Sequence, residues 1–213
     1  MSNTPEYSRS EELMNTITHG AGCLLALVGL GALIARAEGT VEVVCAVVYG
    51  LSMVILFMAS TLYHGLSHTR WKQWLKTLDH SAIYLLIAGS YTPFLLVSLK
   101  NWIGITMTVV IWALAVAGIG FKLLAGHRFP KVSLATYLLM GWLALVIIYP
   151  LYVALPGEAM WLLAGGGLLY TIGAVFYAMK NVPYAHAIWH LFVLGGASLH
   201  FASIYGYVLV PGA

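Results

Sequence analysis

Charge is what this chain is short of. Its 213 residues include 10 Lys or Arg and 7 Asp or Glu, while 61% are hydrophobic. A soluble domain of that length still needs a polar skin, so a water-soluble fold is excluded. The mean hydropathy of +0.89 marks an integral membrane protein. Cysteine is almost missing as well. Cys23 and Cys45 fall at different depths, about 10 Å apart along the membrane normal, which excludes a disulfide framework and leaves two small buried hydrophobes. There is no linker, no low-complexity stretch and no sign of a second domain. The first residues lack the positive charge of a signal peptide, because Arg9 stands against Glu6, Glu11 and Glu12, although Ala35-Arg36-Ala37 resembles a cleavage site. The net charge of +3 comes from basic residues in short loops, so nucleic acid is not expected as a partner.

What the chain does have is seven apolar runs. They cover about 15–35, 41–64, 77–99, 102–124, 132–155, 158–179 and 184–210, each near the ~20 residues needed to cross the hydrocarbon. The fold class is therefore all-α: a polytopic membrane protein built as a seven-helix bundle. Residues 1–14 form a short polar N-terminus and 15–210 the membrane domain. With the N-terminus inside, Arg9, Arg70, Lys72, Lys76, Lys122, Arg128, Lys131 and Lys180 lie on the cytoplasmic side and only Arg36 and Lys100 outside. Eight against two predicts a cytoplasmic N-terminus and an external C-terminus, in the inner (plasma) membrane. G-protein-coupled receptors run the other way, and a retinal protein needs a Schiff-base lysine in the last run, where none exists. Apart from His200, ionisable groups cluster at span edges, so a pore, which wants a polar stripe through the bilayer, ranks last.

The polar residues that do enter the runs converge at one depth. His186 and His190, four apart, sit about 40° apart around a helix and ~6 Å along it, so both rings can reach one ion. Alone, such a pair caps a helix or bonds lipid headgroups equally well. His64, at the end of the second run, and Asp79, at the start of the third, fall on the same side of the membrane. Three imidazoles with an open position is the donor set of a catalytic Zn²⁺ site, whereas structural zinc is usually closed by four protein ligands. Asp79 either binds the ion or accepts from water beside it, the second being favoured. As a bare carboxylate at a helix N-terminus it also complements the helix dipole. Ser60, one turn deeper than His64, is placed to bond that water or a substrate oxygen. His19 opens the first run on the same side. His80 points about 100° away from Asp79. His68 and His127 are expected in solvent, and His200, ~15 Å deeper than His190, as a bonded core residue.

Ser60-xxx-His64, Leu78-Asp79 followed by Ser81, and His186-xxx-His190 resemble the signature of the progestin and adipoQ receptor superfamily. Asn15-Thr-Ile-Thr-His19-Gly resembles its bacterial branch, the hemolysin III proteins. The resemblance implies seven helices around a cytoplasmic-side Zn²⁺ held by His64, His186 and His190, with Asp79 positioning water and Ser60 close by. Relatives such as adiponectin receptors and alkaline ceramidases imply hydrolysis of a lipid amide or ester, with a membrane lipid as substrate and a part in lipid homeostasis. The long N-terminal domain of the receptors is missing, so hormone binding is not expected. The alternative is a non-enzymatic protein whose zinc pins the helices of a membrane sensor or lytic protein.

Overall fold

The computed structural model describes residues 7–125 and 128–210, which are helical with no strand among them. Seven helices are long and apolar enough to cross a membrane: α1 Arg9–Arg36, α2 Thr40–Gly65, α3 Lys72–Leu99, α4 Trp102–Ala125, α5 Pro130–Ala154, α6 Gly157–Ala178 and α7 Ala185–Val208. Short connections reverse the chain after each. The starts of α1, α3, α5 and α7 therefore share one end of the bundle with the finishes of α2, α4 and α6. Helix α3 is the most enclosed, and α7 packs back against α1 to close the ring. The outer faces carry Leu24, Val28, Val109, Val116, Leu124 and Trp161 in the open, as lipid-facing surface should. Both cysteines are free and buried.

Two helices start earlier than their apolar runs. At α1 the reason is a capping box: the Ser8 hydroxyl accepts from the Glu11 amide at 3.3 Å and the Glu11 carboxylate accepts from the Ser8 amide at 2.9 Å. The cap brings Glu12 into helical register with Asn15 and His19, three and four residues apart along one stripe. Helix α3 likewise begins at Lys72, ahead of the apolar run at Thr77.

Two helices are also irregular. Pro93 has no amide hydrogen and its ring crowds the carbonyl one turn back. Downstream of it, Phe94–Leu99 widens into π-helical turns that stop at Lys100, a residue with φ of +46°. In α5 the stretch Trp142–Ile147 tightens into 3-10 turns ahead of Pro150. The loosened backbone there is stitched by one side chain. The Tyr91 hydroxyl accepts from the Ala144 amide at 2.7 Å and donates to the Gly141 carbonyl at 2.7 Å. Irregular backbone at membrane depth is tolerated when buried protein groups satisfy it in this way.

Candidate metal centre

His64 ends α2, and His186 and His190 lie on the first turns of α7. Since α2 finishes where α7 starts, the three rings meet. One ligand nitrogen of each lies within 4.8 Å of the others. The Nε2 atoms of His64 and His186 face each other at 3.2 Å, close to the edge of a tetrahedron around an ion with bonds of about 2.0–2.1 Å.

The opposite nitrogens are spoken for. His64 Nδ1 donates to the Glu12 carboxylate at 2.6 Å, and Glu12 also lies 3.9 Å from the Lys72 ammonium. His190 Nδ1 faces the Asn15 carbonyl at 3.3 Å and the Thr18 hydroxyl at 3.2 Å. A proton held at Nδ1 leaves the Nε2 lone pair for another partner. His190 Nε2 has none in the protein and is buried, which is costly unless something else binds it. An orphaned lone pair, a close Nε2 pair and a carboxylate behind one ring together fit a metal cation. No metal is needed to see that fit, and its identity is not fixed by the three nitrogens alone.

Asp79 and Ser60 are both buried at this end. The Asp79 carboxylate stays outside the group of converging ligand atoms. It lies within electrostatic range of His64, and one oxygen is 3.7 Å from His80 Nδ1. The Ser60 hydroxyl makes no hydrogen bond of ordinary geometry, and the Asp79 carboxylate is within its reach. His80 donates to the Lys76 carbonyl at 2.8 Å and meets the Tyr177 hydroxyl at 3.2 Å. His19 stacks flat on His190, ring centroids 3.5 Å apart, with both its nitrogens unbonded. His200 sits far along α7, its Nε2 on the Leu163 carbonyl at 3.1 Å. It lies so near Gly166 that a Cβ there would fall 2.2 Å from its ring. His68 is exposed, and His127 lies outside the described residues.

Two participants had not been singled out from the sequence. Glu12 was counted with the polar N-terminus, although its spacing from Asn15 and His19 places all three on one helical face. Tyr7, just before the cap, lays its ring against His186 and His64, at centroid distances of 4.9 and 5.9 Å. Burial raises its phenol above the ordinary value, so it stays a neutral donor over the site. Beneath the histidines an apolar cavity of about 130 Å³ opens between α3, α5, α6 and α7. His19, Tyr177 and Trp189 line it near the cluster, and Tyr170 and His200 at its far end. A second cavity of about 120 Å³ shares Tyr91, Trp142 and His200 with it and reaches Leu151.

The comparisons agree with this arrangement. The family model described as "Haemolysin-III related" matches residues 7–201. Hemolysin-3 of Bacillus cereus is 48% identical over 202 residues, 93% of this chain and 92% of that protein. The Hemolysin-3 homolog of Bacillus subtilis (strain 168) is 45% identical over 209 residues, 96% and 98% of the two chains. The human monocyte to macrophage differentiation factor is 32% identical over 207 residues, 93% of this chain and 84% of its own length.

Proposed function

The chain belongs to the haemolysin-III-related family, a branch of the progestin and adipoQ receptor superfamily, and on that premise we propose that it is an intramembrane Zn²⁺-dependent hydrolase of lipid amide or ester bonds. The observation that carries this reading is the set of three buried ring nitrogens converging at the mouth of an apolar cavity. Chain and head of a lipid divide in the same way. An acyl chain lies in the cavity among the helices while the bond to be cut lies at the histidines.

Each residue then has a task. His64, His186 and His190 hold the ion. Glu12 keeps the His64 proton on Nδ1 and so fixes the ring's orientation. Zn²⁺, when bound, supplies a Lewis acid that polarises a carbonyl and lowers the pKa of water toward ~7. Asp79, beside the ligand group rather than within it, takes the proton as general base. Ser60 orients that carboxylate or bonds a substrate oxygen. The site faces the cytoplasm, in the plasma (inner) membrane, because the basic loops crowd that end. The protein acts in membrane lipid homeostasis.

Asp79→Asn tests the base. The variant fills the same space and keeps an acceptor, so it should retain most of the zinc and the wild-type melting temperature. Its turnover of lipid amides or esters should fall below detection, since an amide is no base at neutral pH. Ser60→Ala, losing a hydrogen bond of roughly 0.5–1.5 kcal/mol, should slow turnover about tenfold at most. Full turnover by zinc-loaded Asp79→Asn refutes the hydrolase. What would then stand is the second reading, that the metal ties α2 to α7 in a sensor or lytic protein, which the Tyr7 ring lying across two of the histidines favours. Orientation is tested separately. A reporter fused after Ala213 should read the external side and one inserted at residues 126–127 the cytoplasm; the reverse pattern overturns the placement.

A further inference from the structure

Lys122 stands in the last turn of α4. A lysine at the end of a membrane helix ordinarily runs its stem along the surface and leaves the ammonium in interfacial water. Lys122 does not, being 2% exposed. The cause is a close approach one turn away. Gly118 meets the Tyr84 ring so tightly that a Cβ would fall 2.3 Å from Cε1. That contact draws the end of α4 onto α3, and Lys122, four residues on, presents from the same face.

Helix α3 runs the other way, so one turn back from Tyr84 come His80 and Asp79, and a further turn back Lys76. Lys122 is within electrostatic range of Asp79, Lys76 and Lys180, the last just past the end of α6. Lys76 is half-buried and Lys180 exposed. Among the described residues, neither the Lys122 nor the Lys76 ammonium makes an ion pair. Glu12 is already taken by His64 and Lys72. That leaves Asp79 as the carboxylate facing three ammonium groups. An excess of positive charge in a dry site is unfavourable unless an anion joins it.

We propose that Lys76, Lys122 and Lys180 form a binding site for a phosphate group beside the metal centre. The group is supplied either by the headgroup of an anionic phospholipid or by free phosphate. Ammonium groups suit it as point charges that need no planar alignment. The site lies at a helix-end depth, where lipid phosphates lie, and the apolar cavity runs inward from the same end. The inference does not depend on turnover or on zinc.

The test uses the full chain in phosphatidylcholine nanodiscs, with melting temperature as readout. Phosphatidylglycerol is added to one set of discs and inorganic phosphate to another at constant ionic strength. Wild type should be stabilised in at least one arm. A response to phosphatidylglycerol that inorganic phosphate does not reproduce identifies the lipid, and a response to inorganic phosphate identifies the free anion. Lys122→Gln should weaken the responding interaction at least tenfold and Lys180→Gln, in an exposed loop with little bearing on folding, severalfold. Lys122→Arg should retain it. Lys131→Gln, exposed at the same end of the bundle, should leave it unchanged. No response of wild type in either arm overturns the site. So does an equal effect of Lys131→Gln and Lys180→Gln, which would reduce the interaction to general attraction between basic loops and anionic lipid.

Discussion

The two ends of the bundle treat charge in opposite ways. At the histidine end Glu12, Asp79 and Lys122 are drawn inside the protein along with Asn15, His19, Ser60, His64 and His190. At the other end Glu38 and Lys100 are exposed, Glu42 is only half-buried, and Arg36 spreads its guanidinium over the Tyr205 ring at 4.6 Å. Burying a charge is tolerated only where a partner or an ion compensates it. The far end shows what the chain does with charge when nothing demands burial: it leaves it in water. The near end is therefore where the molecule does its chemistry.

Breaking that contrast takes the loss of a ligand. His190→Ala should lower the affinity for zinc by more than roughly a hundredfold, beyond the 10–100-fold that follows from removing a group behind a ligand. The wild type should carry about one Zn²⁺ per chain, as measured by elemental analysis of purified protein. A triple variant without His64, His186 and His190 that still holds stoichiometric zinc would end the comparison altogether. A smaller step sharpens it. Glu12→Gln leaves an acceptor for His64 Nδ1 but takes away the negative charge, so zinc affinity should drop about 10–100-fold with little change in folding. An unchanged affinity would mean that Glu12 serves only to pair with Lys72.

The smallest effect on the metal belongs to the irregular half of the bundle. Tyr91→Phe frees the Ala144 amide and the Gly141 carbonyl, which should cost about 1–3 kcal/mol of stability, read as a lower melting temperature at unaltered zinc content. Glu42→Gln, at the exposed end, should stay within about 0.5 kcal/mol of wild type. Zinc loss in Tyr91→Phe would show that the two ends are mechanically coupled.

Much of the near end is legible along the chain, because its signals are local. The four-residue spacing of His186 and His190 is a statement about one helix, and the alternation of apolar runs with short polar loops sets which ends meet. That logic brings His64 to α7 before any contact is known. Glu12 escapes it because hydropathy places the start of α1 at the apolar run, whereas Ser8 and Glu11 start the helix with a polar cap. Lys122 escapes it for a different reason. Counted among the basic residues, it serves the topology equally well whether its ammonium is in water or in protein.

The sequence by itself determined that the chain is a seven-helix membrane protein and that histidines gather at one end, since both follow from hydrophobic length and helical period. Tertiary structure alone decided which nitrogen of each ring is free, that Glu12 stands behind His64, and that Tyr91 mends the broken α5. It also decided that Lys122 is shut inside, against Asp79. These depend on distances of a few tenths of an ångström between side chains from different helices, such as the approach of Gly118 to Tyr84. Periodicity fixes a residue's face along its own helix. How closely the neighbouring helix comes is settled only when all seven are packed.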